Sequence, residues 1–300
     1  MKKIFGILPA LALVIFACGG ALLINPPALS WFAPASGTTN LLDGVSWGGT
    51  TYVAVGDAGA ILTSADAKSW TPRTSGVSSR LYGVTWSGTQ FAAVGDTGII
   101  LTSPDGITWT PHVSGITNSL HSVVWAGTMF VAVGDSGSIV TSTNGITWTI
   151  QTSGVTNMLQ GVVWSGSTMV AVGDSGTILT SSNGITWTKQ TSGTTNILHG
   201  IVWTGNVYVA VGENGTILFS ANGTTWITHL SSITAGLYGV SWSAFHGLYL
   251  VTGDGGKLYT STDGFIWMAG PSMTTNRLYT ALWTSRFVIV GDLGVILYSF

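Results

Sequence analysis

The chain has 300 residues, 45% of them hydrophobic and 7% charged, with 42 glycines, one cysteine and a formal net charge of −2. That apolar content is enough for one large core or two ordinary ones and excludes disorder, while a charged fraction far below the usual ~25% excludes a protein built on solvated helix faces. Near balance of acids and bases excludes an electrostatic nucleic-acid surface, and the lone cysteine excludes a disulfide framework or a thiolate metal site.

Lys2 and Lys3 precede an uncharged stretch over residues 4–17, interrupted by Pro9, which has the form of a secretory signal and is short for a membrane span. Export is expected. Cys18, with Ile15, Phe16 and Ala17 before it and Gly19 and Gly20 after it, resembles the lipobox of bacterial lipoproteins, although Phe16 stands where a small residue is usual. Ordinary cleavage near Ala21 is the alternative. The expected organisation is a lipoprotein-type signal over residues 1–17, a tether over 18–28 beginning at a lipidated Cys18, and one domain over 29–300.

Segments beginning at Ser36, Ser75, Ser114, Ser153, Ser192 and Ser231 share one pattern with a period of 39. In each copy, short or alternating apolar runs between glycine-rich turns mark four strands: an LxGVxW run, a VAVGD run, an ILTS run and a TWT run. A four-stranded unit of about 40 residues is the blade of a β-propeller. The 14 tryptophans form two families of seven, one from Trp47 to Trp283 closing first strands and one from Trp31 to Trp267 opening fourth strands, so an all-β, seven-bladed propeller is predicted. Residues 29–34 read as a fourth strand with no preceding three, and residues 296–299 as a third strand with no fourth to follow. The two are predicted to pair and shut the ring, completing blade seven. Full burial of Trp31 there is worth about 4–6 kcal/mol before entropy is subtracted.

The turns SPDGITW (103–109), STNGITW (142–148), SSNGITW (181–187), SANGTTW (220–226) and STDGFIW (261–267) resemble the Asp-box, or BNR repeat, of sialidases and sortilin-like receptors, one residue shorter than its usual form. The Asp or Asn is suited to accept backbone N–H groups within the turn, the glycine to supply a positive φ, and the tryptophan to hold the hairpin on its blade. SADAKSW (64–70) lacks the glycine, and a less regular turn is expected there. With the VGDxGxIL runs, residues 29–300 resemble the photosystem II assembly-factor type of seven-bladed propeller, which implies a non-catalytic assembly platform; no dense arginine patch of the kind an assembly factor would use is visible.

A sialidase-like enzyme would need an arginine triad with a tyrosine and a glutamate. The chain has four arginines, only Arg80 and Arg277 of which share a loop position, and its one glutamate, Glu213, replaces a turn aspartate. No Ser-His-Asp arrangement stands out. Asp57, Asp96, Asp135, Asp174, Glu213, Asp254 and Asp292 put one carboxylate in each second-to-third strand turn. Blades about 10 Å apart do not bring two of them within the ~5 Å that a shared Ca²⁺ requires, so they are expected to be turn formers that give one face a mild negative field. The histidines lack ligand spacing; no metal and no cofactor is expected. Tryptophans repeated in every blade are expected in the core.

Against this scaffold, the residue four before the first tryptophan changes chemistry from blade to blade: Asp43, Tyr82, His121, Gln160, His199, Tyr238 and Tyr279. Two positions earlier stand Leu41, Arg80, Ser119, Met158, Ile197, Gly236 and Arg277. Both positions open the innermost strand, at the mouth of the central channel. Around the ring, Tyr238, Tyr279, Asp43 and Tyr82 form one arc with Arg277 and Arg80 beside it, a combination suited to anchoring a protein or glycan ligand. The expectation is a monomeric, lipid-anchored binding or assembly platform of the bacterial envelope, contacting its partner at this mouth and the membrane through its lipid. A glycan-processing enzyme and a purely structural envelope protein are the alternatives. A lipid on Cys18 would hold the end carrying the third-to-fourth strand turns toward the membrane and leave the variable mouth facing away.

Overall fold

A computed structural model describes residues 29–300; the expected signal, the tether and Cys18 lie outside the described residues. Seven antiparallel sheets of four strands each form the ring. Blade one runs outward from the channel through Leu42–Trp47, Tyr52–Gly56, Ile61–Ser64 and Thr71–Arg73. Each sheet is covered by a neighbour on both faces, which is why second strands read as continuous apolar runs and Tyr52–Gly56 is buried throughout. Fourth strands form the perimeter and are largely exposed.

The apolar core is divided among the blade interfaces. Leu42, Tyr52 and Trp70 of blade one pack against Val288, Val290 and Ile296 of blade seven, while Leu248 and Leu250 of blade six meet Phe287, Ile289 and Leu297 of blade seven. An aromatic line crosses most blades: Trp47 lies 4.2 Å from Tyr52, and Tyr52 lies 6.3 Å from Trp70. The two tryptophan families differ. Trp70, Trp109, Trp148 and Trp187 are buried, whereas the family from Trp47 to Trp283 is half-buried around the end of the channel opposite the variable mouth.

The predicted clasp is present. Trp31 pairs with Ser299 and Phe32 with Tyr298, and Ser30 and Phe300 exchange backbone hydrogen bonds of 3.3 and 3.0 Å. The regular strand is shorter than residues 29–34, covering Trp31–Phe32. Trp31 is also only partly buried, against Phe287 at 6.4 Å, so its contribution falls below the full-burial figure. Closure does not depend on the clasp alone: the Thr280 hydroxyl donates to the Asp43 carbonyl at 2.6 Å, and the Tyr52 and Thr284 hydroxyls are 2.6 Å apart across the same seam.

The third-to-fourth strand turns follow one scheme. The Asp105 carboxylate accepts from the N–H groups of Ile107 and Thr108 at 2.8 and 3.0 Å, and the Trp109 indole N–H donates to the Gly106 carbonyl at 3.0 Å. The turn lacking glycine keeps the aspartate and tryptophan bonds but loses one other: the glycine N–H donates to the turn serine hydroxyl in the five glycine-containing turns, at 2.8 Å from Gly106 to Ser103, and Ala67 makes no such bond to Ser64. Asp66 accepts from Lys68 and Ser69 at 2.9 and 3.0 Å, and Trp70 donates to Ala67 at 3.1 Å. Ala67 takes the glycine's place at φ 61°, and the surrounding bonds outweigh the roughly 1 kcal/mol that a left-handed alanine costs. In an antiparallel blade the first-to-second and third-to-fourth turns share one end, and the second-to-third turns share the other end with the blade-to-blade loops.

Candidate functional site: the channel mouth

Every inner strand carries a register shift at its second residue. In blade one it falls between Leu42 and Gly44, in blade two between Leu81 and Gly83, and in blade seven between Leu278 and Thr280. The unpaired residues are therefore Asp43, Tyr82, His121, Gln160, His199, Tyr238 and Tyr279. A bulge frees a residue from the ladder and re-aims its side chain, here into the mouth. The positions singled out by variability are thus also the positions released by the backbone. All seven line a channel of about 440 Å³ together with the glycines, valines and isoleucines that follow them.

The turn acids belong to the same site. Backbone N–H of Asp57 donates to the Leu41 carbonyl at 2.9 Å, and its equivalents do likewise, which sets each carboxylate beside the strand that opens the mouth. The preceding Gly56 is required by closeness, since a Cβ there would fall on the Leu41 carbonyl. Side chains complete the link within blades: the Tyr82 hydroxyl donates to Asp96 at 2.9 Å, His121 Nε2 lies 2.7 Å from Asp135, and the Gln160 amide donates to Asp174 at 3.2 Å. Sequence reasoning treated the acids and the variable ring separately. Their constant separation of 14 residues in blades one to five was visible, but only the turn and the bulge together turn that spacing into contact.

The arginines link blades. Arg80 pairs with Asp43 and also approaches Asp57 of the preceding blade at 3.1 Å. Arg277 donates to Asp254 of blade six at 2.7 Å and lies over the rings of Tyr238 and Tyr279 at 4.6 and 5.8 Å. One expectation needs revision. Asp43 is 8% exposed and bound by Arg80, so it braces the wall and is not a free anchor in the arc. Arg277 stands at the rim, 41% exposed.

Burial, exceeding the attraction of Arg80, pushes the Asp43 carboxyl up to about 6. Burial first, and then the bond to Asp96, raises the Tyr82 phenol; burial also raises Tyr238 and Tyr279, so all three are neutral donors. Burial lowers the His199 imidazole. His199 stacks on Tyr238 at 4.5 Å, and its Nε2 has no hydrogen-bond partner, with Glu213 3.9 Å away. Among the described residues there is no group of three or more His, Cys, Asp or Glu side chains suited to a metal ion.

No family model and no curated protein matches the sequence. Among solved structures, YCF48 from Cyanidioschyzon merolae superposes with a TM-score of 0.74 at 20% identity, over 89% of this chain and 98% of that one. A structure of YCF48 bound to D1 peptide superposes with a TM-score of 0.76 at 22% identity, over 91% and 99%. This chain is a seven-bladed propeller of the same fold as YCF48.

Proposed function

We propose that this propeller is an exported, lipid-anchored, non-catalytic platform that binds a segment of a partner protein at the channel mouth. The observation that carries the proposal is the coincidence of bulge and variability: in a near-identical scaffold, the seven residues released from the ladders are those whose chemistry differs between blades. A binding surface needs local difference, whereas packing asks the same of every blade. The mouth is preformed and concave, has an aromatic and arginine rim, and includes a buried imidazole nitrogen that a peptide group would satisfy. YCF48, a protein of the same fold, has been solved with a peptide bound. Against catalysis, the mouth arginines Arg80 and Arg277 are held by acids of the ring, and Glu213 lies 3.9 Å from His199 without a hydrogen bond to it.

A photocrosslinking residue in place of Gln160 tests this in the native envelope, with the same residue at Lys189 on the perimeter as control. Discrete protein adducts from the mouth position and none from the perimeter are expected; equal labelling at both would remove the proposal. Lipidation is tested separately by labelling with radioactive fatty acid, which the Cys18→Ser change should abolish.

A further inference from the structure

The end of the ring opposite the variable mouth has a composition of its own. Ile107, Ile146, Ile185 and Phe265 occupy the same position in the third-to-fourth strand turns of four blades, and Phe245 and Phe300 lie at the same end of blades six and seven. They are 48% to 86% exposed. Isolated exposed apolar side chains are ordinary, but a ring of isoleucine and phenylalanine along one end of a molecule marks a contact surface. Packing does not require them, because Thr224 and Lys68 fill the equivalent positions in blades five and one without disturbing the bonds to the turn Asn or Asp.

Charge separates the two ends. Of the eleven acids, only Asp66, Asp105 and Asp263 lie at the apolar end, and each is occupied by backbone N–H groups of its own turn. Lys68 and Arg286 are at this end too, both over the Phe300 ring at 4.9 and 4.6 Å. The other eight acids surround the mouth. The described chain begins at this apolar end, with Leu29 beside the clasp, and the sequence before it contains the uncharged stretch over residues 4–17.

We infer that the isoleucine and phenylalanine end is a membrane-contacting face, which rests its turn tips in the lipid interface and holds the acidic mouth toward the aqueous phase. A lipid surface fits better than a soluble partner because the contact residues are spread around one whole end of the ring, because that end, with three acids against two cations, is repelled by anionic headgroups far less than the end with eight acids, and because the described residues start there. The surface acts whether or not Cys18 carries lipid, so it is distinct from the anchor. It also goes beyond binding at the mouth, and either can fail without the other.

The test uses the full chain with Cys18→Ser and one new cysteine carrying an environment-sensitive fluorophore, at Ile185→Cys on the apolar end or Thr156→Cys on the mouth end. With vesicles of phosphatidylcholine and phosphatidylglycerol, the label at 185 should shift to the blue and be quenched by spin-labelled lipid, while the label at 156 stays aqueous. Each half-exposed isoleucine that enters the interface strengthens partitioning about tenfold. Ile107→Asp with Ile146→Asp should therefore remove most of the quenching at 185, while the circular dichroism spectrum is unchanged. Equal quenching at both labels, no quenching at 185 in vesicle-bound protein, or a blue shift at 185 without vesicles, as burial by another copy or by the N-terminal stretch would give, each overturns the inference.

Discussion

Arg80 of blade two donates from Nε and Nη2 to the two carboxylate oxygens of Asp43 in blade one, at 2.8 and 2.7 Å. The pair spans a blade interface with Asp43 buried and Arg80 28% exposed, so its two halves are not equivalent: removing the arginine leaves a buried acid without its partner. Arg80→Ala should cost about 2–3 kcal/mol, seen as a lower midpoint in urea, and Asp43→Asn should cost less.

Acidity gives an independent reading of the same pair. The Asp43 carboxyl titrates near 6 in the folded chain against 3.8 in the unfolded one, so the folded state holds its proton more tightly. Its contribution is greatest below about pH 4, is lost as pH rises from about 4 to 6, and is flat above that, with a total of about 3 kcal/mol. The stability difference between wild type and Asp43→Asn, followed by urea unfolding across this range, should fall with rising pH. A difference that rises instead would mean that Arg80 outweighs burial.

The clasp sets a second expectation. Deleting residues 29–34 uncovers Ile296–Ser299, whose partner strand and half-buried Trp31 are then gone. Trp31→Ala alone should cost about 2 kcal/mol, or a fall in Tm of about 4–8 °C, and the deletion should cost more. A deletion variant that melts with the wild type would rule out the clasp as a closure element.

Blades one and two approach too closely at Gly44 for a side chain, although Ser122 and Thr280 occupy the equivalent position in blades three and seven. A Cβ on Gly44 would stand 2.8 Å from the Tyr82 carbonyl of the next blade. Because backbone has little room to yield, Gly44→Ala should cost about 1–3 kcal/mol by urea unfolding.

Turn acids at the apolar end behave differently from those at the mouth. Asp105→Ala removes the acceptor of two exposed N–H groups and should cost about 1 kcal/mol. Asp105→Asn should be nearly neutral, since Asn144 and Asn183 make the same bonds in blades three and four.

How far the sequence could be read depended on whether repetition carried the signal. The number of blades and the clasp followed from the phase of Trp31 and of residues 296–299, because a period of 39 leaves one place for each strand. The bulge at Asp43 and its equivalents was not legible, since an extra residue in a ladder leaves no mark on hydrophobic alternation. The bond between Tyr82 and Asp96 was hidden for that reason, and the burial of Asp43 depended on an arginine 37 residues away. Ile107 and its equivalents read as letters of a turn motif; their exposure, and the end of the ring they share, emerge only in three dimensions.

The claim on which the functional account rests is that polypeptide binds at the mouth. Hydrogen exchange of the chain, alone and saturated with the peptide identified by crosslinking at Gln160, tests it most directly. The account expects added protection over residues 41–44, 80–83 and 236–239, none in the turns at 105–108 and 183–186, and an affinity weakened at least about tenfold by Arg277→Ala with Tyr279→Ala. Protection confined to the turns or the perimeter, or full affinity in the double variant, would contradict it.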